Sequence, residues 1–85
     1  MIYNVELTPA AQKQFKKLTT QLQDKIWEAI ENIALDPRPY GYKKLVSRLG
    51  CYRIRIGDYR IIYSINDQII TILILQIGHR RDVYR

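Results

Sequence analysis

Three arginines lie close to one short turn signal, in a spacing that could bind an anion. Gly57 and Asp58 are typical of a two-residue hairpin turn. Such a turn places Arg55 directly opposite Arg60, with Arg53 two residues along on the same face. Like charges that oppose each other in a sheet are destabilising. The arrangement therefore predicts a site that receives an anion, such as an RNA phosphate.

Arginine suits this role because its planar guanidinium donates two parallel hydrogen bonds and stays charged at physiological pH. Arg80, at the end of a later strand, could join the group. The four side chains could surround one phosphodiester and stabilise the extra negative charge of a pentacovalent phosphorane.

Two further side chains are candidates for proton transfer. His79 is the only histidine, and histidine is the side chain suited to proton transfer near neutral pH. Tyr84 would be a poor base in water, but nearby arginines would favour its phenolate. The alternative roles are packing or phosphate contact for His79, and capping of the sheet or stacking on a base for Tyr84.

Metal and cofactor motifs are missing from the sequence. No zinc-type cysteine and histidine spacing, Mg²⁺-type carboxylate pair or glycine-rich phosphate loop occurs. We therefore expect no cofactor and no metal, with the RNA's own 2'-hydroxyl attacking the adjacent phosphorus. DNA lacks that nucleophile. Cys51, the single cysteine, is expected to be an ordinary strand residue.

Length and charge set the class of protein. The 85 residues predict one domain, residues 1–85. Residues 1–42 carry equal numbers of acids and bases, so residues 43–85 hold the whole net charge of +6. That half favours a polyanion, although an acidic protein would also be attracted. The first residues do not resemble a signal peptide and no apolar run reaches membrane length, so we expect the cytoplasm as the location.

Residue patterns predict the order β-α-α-β-β-β-β, an α+β fold with an antiparallel helix hairpin on a largely antiparallel sheet. Residues 2–7 alternate as a strand, Thr8 and Pro9 begin a helix, and Thr20 with Gln23 matches a capping box for a second helix. Further strands are predicted at 45–49, 51–56, 59–65 and 68–77, the last two joined by a two-residue turn at Asn66 and Asp67.

Side-chain alternation divides the sheet into two faces. Six apolar or aromatic residues should lie beneath the helices: Tyr52, Ile54, Ile56, Tyr59, Ile61 and Tyr63. Arg53, Arg55 and Arg60 should point to the opposite, solvent-facing side. The strand at 68–77 is apolar on both faces, which favours an interior position in the sheet.

The chain resembles the RelE toxins of the RelE/ParE superfamily, with a RelE-like fold over essentially its whole length. The resemblance lies in the helix hairpin and in three stretches: Lys44-Leu45, Tyr52-Arg53-Ile54-Arg55-Ile56-Gly57-Asp58-Tyr59-Arg60-Ile61-Ile62-Tyr63, and Ile77-Gly78-His79-Arg80-Arg81-Asp82-Val83-Tyr84. It implies a type II toxin that cuts mRNA in the ribosomal A site and arrests growth. It also implies a RelB-like antitoxin, a ribosomal partner (16S rRNA), and operator DNA contacted only through the antitoxin complex.

The resemblance also implies residue roles. Arg53 and Arg55 would hold the RNA backbone and assist proton transfer, and Arg60 would stabilise the scissile phosphate. Arg80 would stabilise the phosphorane or assist the leaving group, and Tyr84 would stack on the substrate or act as base, with His79 as its substitute. The weaker candidates for RNA contact are Lys43, Lys44, Arg48 and Arg81.

Two alternative functions are also compatible with the sequence. A ParE-type inhibitor of DNA gyrase would share the fold and would need no nuclease residues. A non-catalytic basic module that binds RNA or an antitoxin would share the charge. Family members often have lysine at the positions of Arg53 and Arg55. Arginine at these positions can still stabilise negative charge, but its guanidinium is harder to use as a proton donor or acceptor.

Overall fold

The computed structural model describes residues 2–79 and residue 81. The elements are β1 (Asn4–Leu7), α1 (Pro9–Lys16), α2 (Thr20–Leu35), β2 (Lys43–Lys44), β3 (Cys51–Ile56), β4 (Tyr59–Asn66) and β5 (Thr71–His79). They confirm the predicted order and the α+β class. No helix within the described residues is both long and apolar enough to span a membrane.

One sheet contains all five strands, in the order β1-β5-β4-β3-β2. β1 runs parallel to β5, and the other three pairings are antiparallel. The interior position predicted for the last strand is therefore confirmed. β5 contacts β1 on one side and β4 on the other.

The hydrophobic core lies between the helices and one face of this sheet. Helix residues Ala11, Ile26, Ile30 and Ile33 pack with strand residues Ile61, Tyr63, Ile72, Ile74 and Ile77. All of these are at most 1% exposed. A bulge lies on β5 at Leu75, because Ile62 pairs with Gln76 whereas Tyr63 pairs with Ile74. The extra residue lets both Ile74 and Ile77 face the core although they are three positions apart.

The caps of the helices agree with the sequence at one position and differ at another. Thr8 caps α1, and its hydroxyl accepts a hydrogen bond from the Ala11 amide at 3.1 Å. The capping box predicted at Thr20 is wrong by one residue. Thr19 is the cap of α2 and accepts from the Leu22 amide at 3.2 Å.

The predicted strand at 45–49 is wrong. The pairing of Lys44 with Tyr52 means that the chain must reverse direction between them. A strand that continued to residue 49 would leave only Gly50 for this reversal, and even the shortest common hairpin loop needs two residues. Residues 46–50 instead form an exposed loop.

The two-residue turn predicted at Asn66 and Asp67 is also wrong. Asn66 pairs with Thr71, so four residues, 67–70, connect β4 to β5. The Asn66 side-chain oxygen accepts hydrogen bonds from the amides of Gln68 and Ile69 at 3.0 and 3.2 Å. This side-chain capping stabilises the longer loop.

Candidate functional site

The turn between β3 and β4 forms as the sequence predicts and sets the register of the arginines. Ile56 pairs with Tyr59, and Arg55 pairs with Arg60. Gly57 has a φ of 59°, and Asp58 is not among the described residues with positive φ. A positive φ at the first central position alone is the pattern of a type II′ turn, which suits right-twisted strands.

The same register places four cations on the face opposite the helices. Direct cross-strand partners point to the same side of a sheet, so Arg55 and Arg60 share a face, as do Lys43 and Arg53. Arg53 and Arg55 lie two positions apart on β3, so both pairs are on the same face of the sheet. We call these four residues, Lys43, Arg53, Arg55 and Arg60, the cationic face.

Carboxylates do not neutralise the cationic face within residues 2–79 and 81. The ion pair in this part of the chain joins Arg38 to Asp67 at 3.0 Å, outside the group. Among the described strands, the acid on this side of the sheet is Glu6 on β1, with β5 and β4 between it and β3. Within this part of the chain, the positive charges of the cationic face therefore have no carboxylate partner.

Arg60 was predicted to face solvent, and this prediction is wrong. The residue is only 3% exposed. One guanidinium nitrogen, Nη1, donates to the Tyr59 carbonyl at 3.1 Å and to the Gly57 carbonyl at 3.4 Å. Its Nε has no partner among the described residues. A buried cation with an unused donor is costly unless an anion completes its hydrogen bonds.

The cross-strand partner of Arg60 on its other side is Gly78. Glycine has no side chain to cover the neighbouring strand, and such positions often allow close approach of a ligand. Gln76, two positions away, pairs with Ile62 on the same face. Sequence reasoning missed that Gly78 is the neighbour of Arg60 on β5, although the glycine was visible in the motif.

His79 lies away from the cationic face. It pairs with Tyr59, whose neighbours along the same side are core residues. The two rings meet edge to face, with centroids 5.6 Å apart. The His79 Nδ1 accepts a hydrogen bond from the Arg81 amide at 3.3 Å. This imidazole therefore lies on the opposite side of the sheet from the arginines.

The remaining predicted site residues are dispersed or lie outside the described residues. Lys44 pairs with Tyr52, so it points to the side opposite Lys43. Arg48 is exposed in the loop at 46–50, and Arg81 is exposed beyond the end of β5. Arg80 and Tyr84 fall outside the described residues.

Sequence reasoning also missed a polar cluster that holds the connection between α2 and β2. Asp67 accepts hydrogen bonds from the Tyr3 hydroxyl at 2.6 Å and from Arg38 at 3.0 Å. These two bonds lower the pKa of Asp67, and the bond to Asp67 raises the pKa of Tyr3. The Arg38 guanidinium also lies 5.8 Å from the centre of the Tyr52 ring. Arg38 thus has a structural partner and is separate from the cationic face.

Comparison with known proteins assigns the family. The model of the family described as "ParE toxin of type II toxin-antitoxin system, parDE" matches residues 5–84. This chain belongs to the RelE/ParE superfamily of type II toxins. The resemblance found in the sequence is therefore confirmed.

Individual RelE/ParE relatives agree over nearly the whole chain. Toxin RelG of Mycobacterium tuberculosis is 31% identical and covers 100% of this chain and 99% of its own length. Putative toxin RelE1 of Methanocaldococcus jannaschii is 32% identical, with coverages of 100% and 98%. The archaeal RelE-RelB complex from Pyrococcus horikoshii contains a chain with a TM-score of 0.82 and 29% identity, covering 96% of this chain and 99% of that one.

Proposed function

We propose that this toxin is a metal-independent endoribonuclease that cleaves mRNA in the ribosomal A site and so inhibits translation. Support comes from its similarity to toxins named RelG and RelE1 and from the chemistry of the cationic face. The observation that carries the proposal is the pairing of Arg55 with the buried Arg60, without a carboxylate partner for either among the described residues. A phosphodiester provides the charge and the acceptors that this pair lacks.

The proposed reaction uses the substrate's own nucleophile. The 2'-oxygen attacks the adjacent phosphorus, the bond from phosphorus to the 5'-oxygen breaks, and the products are a cyclic phosphate and a 5'-hydroxyl. The phosphorane between these states carries more negative charge than the phosphodiester. Arg55 and Arg60 would stabilise that added charge, the interaction that lowers the barrier most effectively. Arg53 would hold the backbone beside them.

Two proton transfers complete the reaction. One removes the proton of the 2'-hydroxyl, and the other protonates the leaving 5'-oxygen. Tyr84 is our proposed base, and Arg80 our proposed group at the phosphorane or leaving oxygen, as the family resemblance implies. His79 is the weaker candidate, because it lies on the other side of β5 from the arginines.

The proposed setting is the cytoplasm, with the ribosome and its mRNA as partners and a RelB-like antitoxin as inhibitor. The partner assignment is supported by the Pyrococcus relative, which was solved as a RelE-RelB complex. Operator DNA would be contacted only through the antitoxin complex.

Inhibition of DNA gyrase is a second candidate function, because the family model that matches this chain is described as a ParE toxin. The two functions are separated by adding the toxin to a cell-free translation reaction and to a gyrase supercoiling reaction. Primer extension that finds codon-phased cuts, with normal supercoiling, supports the nuclease. Intact message with blocked supercoiling contradicts it and supports gyrase inhibition.

A further inference from the structure

The cationic face has two cross-strand pairs, and one phosphate can occupy only one of them. Arg55 and Arg60 form the first pair, and Lys43 and Arg53 form the second. The second pair also opposes like charges, so it has the same need for an anion. Lys43 was predicted only as a weaker candidate for RNA contact. Its register beside Arg53 gives it a different task.

The spacing of the pairs matches the repeat of a nucleic-acid backbone. A nucleotide contains as many backbone bonds as two amino-acid residues, so the two repeats have similar lengths when extended. Arg53 and Arg55 are two residues apart on β3, a distance of about 6.6 Å along the strand. Successive phosphates of one RNA strand can therefore lie over successive arginines of β3.

The neighbouring strands complete each position. Arg60 lies beside Arg55 on β4, and Lys43 lies beside Arg53 on β2, each about 4.8 Å away across the sheet. Arg60 is buried and fixed, whereas Lys43 is exposed. A flexible lysine can follow a phosphate that undergoes no reaction.

We propose that Lys43 and Arg53 form a binding site for a second phosphate, adjacent to the scissile phosphate at Arg55 and Arg60. The inference rests on the proposed function, because it takes single-stranded RNA as the ligand. It makes the productive ligand an RNA with at least two consecutive phosphodiesters. Lys43 is then a positioning residue that fixes which phosphate lies over Arg55 and Arg60.

A binding experiment without ribosomes tests this directly. The probes are 2'-O-methyl oligonucleotides, which cannot be cleaved by 2'-hydroxyl attack: a dinucleotide with one phosphodiester and a trinucleotide with two. NMR titrations measure both affinities over a range of salt concentrations. The wild type should bind the trinucleotide more tightly, with a salt slope steeper by about 0.7 for the added phosphate contact.

Lys43→Ala should lose the gain in affinity and slope while binding the dinucleotide as the wild type does. Lys44→Ala is the matched control, because it removes the same charge from the same two-residue strand but from the other side of the sheet. It should keep the difference between the two probes. Equal behaviour of the two variants would overturn the inference, whether both keep the gain or both lose it.

The second phosphate site and the proposed nuclease function can fail independently of each other. A wild type that binds both probes equally contradicts the second site but leaves phosphate binding at Arg55 and Arg60 intact. A wild type that shows the predicted difference yet leaves message uncut in translation supports the second site and contradicts the nuclease.

Discussion

Arg55 and Arg60 are direct partners across β3 and β4, yet Arg55 is exposed whereas Arg60 is only 3% exposed. The pair therefore combines a fixed, partly dehydrated cation with a cation that reaches solvent. An incoming phosphate would meet the exposed charge first and would then complete the hydrogen bonds of the buried one. Charge stabilisation is strongest where the donors are already oriented and water is excluded.

Substitution of Arg55 should raise the stability of the protein and lower its activity. Arg55→Gln relieves the opposition with Arg60, so the free energy of unfolding should rise by up to about 1 kcal/mol. Cleavage of message should fall at the same time. Urea unfolding and primer extension measure the two effects. The charge-matched control is Lys25→Gln on α2, which lies outside the sheet and should leave both unchanged. A destabilised Arg55→Gln that cleaves normally would contradict the expectation.

Inorganic phosphate should stabilise the free protein through Arg60. A ligand that binds only the folded state raises Tm as its concentration rises. Phosphate should therefore raise the Tm of the wild type above that in chloride of equal ionic strength. Arg60→Met removes the buried charge while keeping an apolar chain in its place, and its Tm should respond less. Equal responses in the two proteins would show that phosphate binds elsewhere.

A side chain at Gly78 should block the phosphate site. Gly78→Val suits strand structure, so the fold should persist, but the new side chain would lie beside Arg60 on the cationic face. Displacement of substrate by about 1 Å can cost about 10²-fold in rate, and primer extension should show a loss of that order. Ser64→Val adds a similar group farther along β4 and should retain cleavage. Equal rates for both variants would argue against access beside Gly78.

Ionisation of Tyr63 should limit stability at high pH. Its hydroxyl donates to the Pro37 carbonyl at 2.7 Å, and burial raises its pKa above the ordinary value. Because the folded pKa is the higher one, this contribution is complete below about pH 10 and is lost as pH rises through the folded pKa. Urea unfolding from pH 8 to 12 should show a steeper alkaline decline for the wild type than for Tyr63→Phe. Parallel declines would contradict this.

Asp67 should act at the opposite end of the pH range. Its hydrogen bonds from Tyr3 and Arg38 lower its pKa, so its contribution is present above the unfolded value of about 4 and is lost as pH falls through the folded value. Asp67→Asn should show a weaker dependence of unfolding on pH between 2 and 5. An unchanged dependence would mean that this exposed cluster adds nothing to stability.

The sequence predicted the arginine register because it depends on local rules. A two-residue turn at Gly57 and Asp58 fixes the pairing, and strict alternation then assigns each side chain to a face. The helix order and the interior position of β5 followed from similar short-range patterns. These features need no knowledge of distant contacts.

The predictions that were wrong or missed concern features that local sequence does not determine. Alternation assigned Arg60 to a face of the sheet, but it does not reveal whether that face is covered, and Arg60 is only 3% exposed. The pairing of Lys43 with Arg53 was missed because the apolar residues at 45–49 resemble a strand, whereas loop closure forces the pairing two residues earlier. The ion pair of Arg38 with Asp67 joins residues 29 positions apart, and no local pattern predicts it.

Message cleavage in a purified translation system would show whether this toxin is a nuclease that depends on Arg55. Primer extension would measure the rate of message cutting by the wild type, by Arg55→Gln and by the control Lys25→Gln, each with its fold verified by circular dichroism. We predict codon-phased cuts by the wild type and the control, and a rate about 10²-fold or more lower for Arg55→Gln. The proposed nuclease would be contradicted if Arg55→Gln cut message at the rate of the control, or if the wild type arrested translation and left the message uncut.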